Sequence, residues 1–388
     1  MRKLIIALLI GSLLSCNKKE EPSWVDHAID VSGVQYKKMA EMALAEQSYP
    51  RSVDSNGSIK WVGPHDWTSG FFPGSLFYLF ELTGDSSFYS YATRLTESLQ
   101  VLEYDSTTHD LGFMIYCSFG NQYRLQPEEM VAEIMINGAN SLSSRFNETI
   151  GCIRSWDFGS WQFPVIIDNM MNLEFLFWAT KYTGDQRYAD IAIQHAQTTM
   201  KNHFRQDFSS YHVLDYDTLT GNVLSKETFQ GYSDESAWSR GQAWGLYGFT
   251  VVFRETRDST YLEQAKGIAD FILDQPNLPV DKIPYWDFND PDIPETPRDA
   301  SAAAVMASAF LELSQYIAEG DKYESAAREI LKNLSSSKFL AEKGNNNSFI
   351  LMHSTGFKPE NSEVDVPLNY ADYYYLEALK RYLKLKNS

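Results

Sequence analysis

Tyr182-Thr183-Gly184-Asp185-Gln186-Arg187-Tyr188, followed by Ala192, reads as one helix ending at glycine and a second starting on an aspartate. Glycine supplies the left-handed residue that stops the first helix. Aspartate offers its carboxylate to the free N–H groups that open the next. The arrangement recurs in Leu82-Thr83-Gly84-Asp85-Ser86-Ser87-Phe88 ahead of Ala92, and in Arg257-Asp258-Ser259-Thr260-Tyr261 ahead of Ala265. It recurs again in Glu319-Gly320-Asp321-Lys322-Tyr323 ahead of Ala326. Four such αα-hairpins at irregular spacing predict an all-α helical toroid or a solenoid. Apolar periodicity places helices at about 33–46, 71–83, 86–103, 126–144, 166–182, 186–202, 237–255, 259–274, 298–316, 322–336 and 368–384. Aromatic, glycine-containing loops precede the first helix of each pair, and a closed toroid would gather them at one mouth. No Pro/Gly/Ser-rich linker interrupts residues 30–385, which predicts one domain.

The chain has 388 residues, 44% hydrophobic and 14% aromatic, a globular composition. Met1-Arg2-Lys3, an apolar stretch from Leu4 to Leu14 and then Ser15-Cys16 have the plan of a secretory signal. Leu13-Leu14-Ser15-Cys16 resembles a bacterial lipobox, and the stretch is too short for a spanning helix of about 20 residues. The expected division is therefore a lipoprotein signal peptide at 1–15, a tether at 16–29 and a helical domain at 30–388. Cys16 would carry the lipid, facing the periplasm, and would be the only attachment to a membrane. Loss of Arg2 and Lys3 moves the formal charge from −18 to −20. A chain so acidic lacks the basic footprint of a nucleic-acid binder, and an anionic ligand would need a local basic patch. Only Cys117 and Cys152 remain after Cys16, with no CxxC spacing; the sequence leaves open whether they pair.

Asp168 stands after the apolar residues 164–167 and ahead of the helical run Leu173-Glu174-Phe175-Leu176-Phe177-Trp178. Two readings are open. It is an acid in the first turn of a helix that Pro164 introduces, or a carboxyl kept protonated by burial and able to donate a proton. Other stretches carry chemistry that packing alone does not ask for. His65-Asp66-Trp67-Thr68-Ser69-Gly70 sets a Trp among turn residues, and Thr108-His109-Asp110 sets a second acid beside a His in a loop. Tyr211-His212 offers another His; Asp234-Glu235-Ser236-Ala237-Trp238-Ser239-Arg240-Gly241-Gln242-Ala243-Trp244 puts Arg240 and Trp244 one turn apart. Taken singly, each has an ordinary structural reading: a Trp at helical spacing packs a core, and an acid at a helix start caps it. Together, Trp, Tyr, His, Arg and carboxylates in one cleft are what carbohydrate recognition uses. The His residues lack HExxH or paired spacing, so no metal or other cofactor is expected. The absence of GxSxG, P-loop and GxGxxG motifs argues against serine hydrolase, kinase and Rossmann chemistry.

Seven motifs taken in order resemble the unsaturated glucuronyl hydrolases of glycoside hydrolase family 88. They are Trp67-Thr68-Ser69-Gly70-Phe71 with Pro73-Gly74, His109-Asp110-Leu111-Gly112-Phe113, Ile167-Asp168-Asn169-Met170-Met171-Asn172-Leu173, Trp238-Ser239-Arg240-Gly241-Gln242-Ala243-Trp244, Pro284-Tyr285-Trp286-Asp287-Phe288, Pro297-Arg298-Asp299-Ala300-Ser301 and Glu363-Val364-Asp365-Val366-Pro367. The resemblance spans roughly residues 30–385. It implies an (α/α)6 toroid, with a twelfth helix where periodicity gives no signal. It also implies an enzyme acting on lyase-generated oligosaccharides of chondroitin, hyaluronan or heparin type that end in a 4,5-unsaturated uronic acid. By resemblance, Asp168 is the general acid/base and Asp110 the second acid. Trp67 and Trp244 become ring-stacking positions, and His109, His212, Gln230 and Arg240 polar site residues, with Arg240 and the histidines supplying positive character for the uronate.

The late loop departs from the family pattern. His353-Ser354-Thr355-Gly356-Phe357-Lys358 keeps Lys358 but has Gly356 where sulfate-binding members place a Ser, and Ser236 stands where an aromatic is expected in at least one relative. Preference for sulfated substrates stays open. The rivals are the sibling unsaturated rhamnogalacturonyl hydrolases acting on pectin fragments, a toroidal polysaccharide lyase, and a non-catalytic glycan-binding lipoprotein.

Overall fold

The computed structural model describes residues 23–387; the signal and lipidation sites expected at 1–16, Cys16 included, lie outside them. Among the described residues, twelve helical segments form six hairpins. The inner members are α2 (Phe71–Thr83), a π-helical stretch Gly112–Gly120 continued by α4 (Asn121–Leu125), a 3-10 turn Ile167–Asn172 continued by α6 (Leu173–Thr183), α8 (Ser239–Thr256), α10 (Ala300–Leu313) and α12 (Asn369–Asn387). The outer members are α1 (Ser23–Glu46), α3 (Ser86–Glu97), α5 (Glu129–Ser143), α7 (Gln186–Asn202), α9 (Ser259–Leu273) and α11 (Asp321–Leu334). The toroid is thus an (α/α)6 barrel.

The caps explain the hairpins. Asp85, Asp185 and Asp258 each accept the backbone N–H two residues on, at 2.9 Å, and Gly184 takes the left-handed conformation (φ 77°) that turns the chain out of α6. The fourth repeat departs from this: Gly320 is right-handed, no side chain caps α11, and Asp321 lies inside its first turn. Outer helices are amphipathic, whereas α10 is buried almost all round, its Ala and Ser residues letting α8 and α12 approach closely.

Three expectations change. The helical domain starts at Ser23 rather than 30, because Val25 and Ala28 are fully buried against the core, so the tether cannot reach residue 29. The missing twelfth helix is residues 112–125, where the unbroken apolar run Phe113-Met114-Ile115 masks any period. Four small antiparallel sheets also decorate the described residues: β1 (Tyr49–Val53) with β2 (Ile59–Val62), β3 (Phe146–Asn147) with β4 (Cys152–Ile153), β5 (Pro164–Ile166) with β6 (Val213–Tyr216) and β7 (Val223–Glu227), and β8 (Ser354–Phe357) with β9 (Ser362–Val366). Cys117 and Cys152 are both buried free thiols. Every inner helix starts at the same mouth, where β5, β6 and β8 bring their residues.

Candidate active site

A cleft of about 340 Å³ opens at that mouth. Asp168 reaches it because β5 runs straight into the 3-10 turn, and β5 is held in register by pairing Ile166 with Val213 and Pro164 with Asp215. The Asp168 side chain is 11% exposed, and its Oδ2 lies 3.6 Å from Nε2 of His212. Burial raises its pKa to about 7; the Arg240 charge opposes that rise, and the Asp110 charge adds to it.

Asp110 stands at the entry to the π-helical stretch rather than in a free loop. Gly112 donates its N–H to Oδ1 of Asn172 at 2.9 Å. A Cβ on Gly112 would come within 2.4 Å of that oxygen, so only glycine lets the two inner helices touch here. The contact fixes Asp110 across from Asp168. Thr108 Oγ1 donates to Asp110 Oδ2 at 2.8 Å, and His109 Nε2 is 3.2 Å from Asp110 Oδ1. His109 Nδ1 is 2.7 Å from Oδ1 of Asn169, whose Nδ2 donates to the Ile153 carbonyl.

Arg240 opens α8 and is 1% exposed. It donates to Oδ2 of Asp299 at 2.9 Å and to the carbonyls of Thr355 and Gly356 at 2.5 and 2.6 Å. It lies over the Trp238 ring at 4.6 Å. Gln230 donates to the same Gly356 carbonyl at 3.2 Å. Gly356 therefore contributes a carbonyl that anchors two cleft residues. The Trp67 ring packs on Tyr370 at 4.9 Å and borders the cleft.

Several expectations need correction. Trp244 is fully buried between Phe113 and Tyr374 and has no face to offer a sugar ring. The Ser236 hydroxyl donates to Oδ2 of Asp287, in the segment between α9 and α10, at 2.7 Å, and neither Ser236 nor Lys358 lines the cleft. Burial lowers the pKa of both His109 and His212, the latter strongly, so the histidines do not supply the positive character. The cations at the cleft are Arg240, paired with Asp299, and Arg51, which pairs with Asp66 and Glu363 and which the sequence reading missed. Arg51 borders the cleft in a bidentate pair with Glu363 at 2.6 and 2.9 Å.

The sequence reading also missed the cleft's aromatic wall. Trp156 and Phe158 stack at 4.9 Å, and Phe229 bridges Trp156 (5.1 Å) to Phe357 (4.8 Å). The aromatic, glycine-containing stretch Trp156-Asp157-Phe158-Gly159-Ser160-Trp161 was the available signal. Among the described residues no three His, Cys, Asp or Glu side chains gather as metal ligands.

Such a cleft holds a carboxyl whose pKa burial raises toward neutrality, a second carboxyl, two arginines and aromatic faces. The Glycosyl Hydrolase Family 88 profile matches residues 36–382. An unsaturated glucuronyl hydrolase of Formosa agariphila is 44% identical over 98% of both chains. The crystal structure of an unsaturated glucuronyl hydrolase specific for heparin superposes with a TM-score of 0.92 at 51% identity, over 94% of this chain and 98% of that one. A variant of the Streptococcus agalactiae unsaturated glucuronyl hydrolase, complexed with dGlcA-GalNAc6S, superposes with a TM-score of 0.78 at 29% identity, over 92% and 91%.

Proposed function

Since the chain belongs to glycosyl hydrolase family 88, we propose that it removes the non-reducing-terminal 4,5-unsaturated uronic acid from lyase-generated glycosaminoglycan oligosaccharides by hydrating a vinyl ether, with Asp168 as the proton donor. The observation that carries this is the raised pKa of a carboxyl opening on a carbohydrate-like cleft. A vinyl ether is activated by a proton delivered to C4, which develops positive charge at C5 beside the ring oxygen. Water adds at C5, and its proton returns to the Asp168 carboxylate. The hemiketal so formed carries the glycosidic oxygen on C1 of an opening ring, and its collapse releases a 4-deoxy-5-keto uronate and the shortened glycan. One carboxyl serves as acid and then base, so a flanking nucleophile is not required. Asp110, turned toward the same space, would orient the water or the ring. Arg51 and Arg240 would face the uronate carboxylate, Trp67 would cover the ring, and Gln230 and His109 would meet its hydroxyls. The wall of Trp156, Phe158 and Phe229 leaves a place for the second sugar.

Purified protein should bleach the ultraviolet absorbance of the enoate in lyase-digested chondroitin, hyaluronan or heparin disaccharides. Bleaching of pectin-derived unsaturated rhamnogalacturonan fragments alone would transfer the reading to the sibling hydrolases; a rise in absorbance on intact polysaccharide would make it a lyase. No bleaching of any unsaturated saccharide would overturn it.

The chain's place in the cell is part of the same reading. Lipidation of Cys16 after removal of residues 1–15 would hold the enzyme at a membrane facing the periplasm, where lyase products arrive. With α1 starting at Ser23, the tether would be 17–22. Cys16→Ser should move the protein from the membrane to the soluble fraction; retention at the membrane would refute the anchor.

A further inference from the structure

The inner helices end at a second cavity, about 590 Å³, on the other mouth of the toroid. A layer containing Phe113 and Trp244, whose rings sit 5.4 Å apart, separates it from the catalytic floor. We propose that this opposite mouth is a second, non-catalytic binding site for an acidic saccharide.

Two independent features meet there. The first is an aromatic platform: Trp178 and Tyr182, one turn apart on α6, stack at 5.3 Å with planes 8° apart, and Tyr123 packs edge-on against both. Tyr182 is 45% exposed. Trp178, stacked on buried Phe175 on its other side, backs the exposed Tyr182 ring, and a ring so supported matches the apolar face of a pyranose. The second is a local excess of positive charge in an acidic protein. Arg124, the residue after Tyr123, takes both oxygens of Glu81 at 2.8 and 2.6 Å, and Lys380 takes the same carboxylate at 2.8 Å. Lys384, one turn further along α12, lines the cavity and is exposed, with no carboxylate on it among the described residues. Arg124 and Lys380 thus share one carboxylate and Lys384 has none, while the two carboxylates of the lining, Glu174 and Glu377, are held by Arg254 and Arg381. Burial and the neighbouring Arg124 charge lower the pKa of Lys380, so an anion here would relieve the crowding. A ring face beside an unpaired lysine and two cations that share one carboxylate selects a sugar bearing a carboxylate or sulfate over a neutral one.

Only the probe is chosen from the reading of the catalytic cleft; the site stands on its own residues. The full chain carrying Asp168→Asn, with its cleft filled by one equivalent of unsaturated chondroitin disaccharide so that none is left over for a second site, is titrated calorimetrically with a saturated chondroitin sulfate tetrasaccharide. One binding event per chain is expected, weakening as salt rises. Trp178→Ala and, separately, the surface substitution Lys384→Glu should each weaken it at least about tenfold, while the same substitutions in the active enzyme leave disaccharide bleaching unchanged. No heat with the cleft filled, or binding undiminished in both variants, would overturn the site. Failure of the catalytic reading shows elsewhere, as absence of bleaching by the unsubstituted chain.

Discussion

His212 presents Nε2 to Oδ2 of Asp168 at 3.6 Å while its Nδ1 accepts the backbone N–H groups of Phe229 and Gln230 at 3.0 and 3.1 Å. A backbone N–H only donates, so Nδ1 is bare and the proton of the neutral ring sits on Nε2, facing the carboxyl. The loop that carries Phe229 into the aromatic wall therefore also sets the tautomer behind the proposed acid, Asp168. An N–H facing a carboxyl favours its ionised form. His212→Phe removes that donor and should move the alkaline limb of the kcat/KM profile to higher pH; an unmoved limb would mean that the ring only packs.

For the unsubstituted enzyme, the proposed chemistry needs Asp168 protonated in the free state. Its pKa is pushed up to about 7, so kcat/KM should hold on the acid side and fall as pH rises through about 7. A pH–rate profile rising through that range would assign the acid's role to another group.

Asp168→Asn should cut turnover by at least about 100-fold, within the range for a lost general acid. It should also stabilise the fold, with a sign that follows from linkage. The folded carboxyl titrates near 7 and the unfolded one near 3.8. Stability from this group is complete below 3.8 and drains away as pH rises to 7, because the unfolded chain releases the proton first. Asn has no such penalty, so the gain in Tm should be larger at pH 8 than at pH 4. A variant that is inactive because it is unfolded would show the opposite.

Asp299 holds the buried Arg240 guanidinium and also caps α10 by accepting the Ser301 N–H at 2.9 Å. Asp299→Ala strands a buried charge and removes a cap, at a cost of roughly 3–5 kcal/mol for the broken pair. Urea unfolding should show the midpoint falling sharply; a shift under about 1 kcal/mol would mean that solvent reaches Arg240.

Trp156→Ala takes away the centre of the aromatic wall, which touches the edge of the His212 ring at 6.0 Å but not Asp168 itself. KM for disaccharides should rise roughly 3- to 10-fold, in line with ~0.5–1.5 kcal/mol for an aromatic contact, with kcat little changed. A collapse of kcat with KM intact would place Trp156 next to the reacting atoms.

The hairpins were legible because their signals are local. Gly184 and Asp185 act within a few residues of themselves, and α2 and α7 occupy the ranges that periodicity gives them. Residues 112–125 were not legible: the stretch 112–120 is nearly all buried and wound wider than 3.6 residues per turn, and the α-helical turn that follows it is too short to show a period. At the site, Asp168 stood out as a carboxyl after an apolar run. Trp244 misled because a motif position says nothing of which way a ring points. Arg51 and Glu363 lie 312 residues apart and meet only in the folded chain. No spacing in the sequence could pair them.

That all six inner helices begin at one mouth has an electrical consequence. Each helix carries about half a positive elementary charge at its first turn, from N–H groups with no partner further back. Six such ends surround the cleft of a protein whose side chains sum to −18. The backbone thus offers an anionic sugar a favourable field that no pH change can titrate and no side-chain substitution can delete. The surface may be as acidic as its surroundings require, because the attraction for the uronate is written into the direction of the helices.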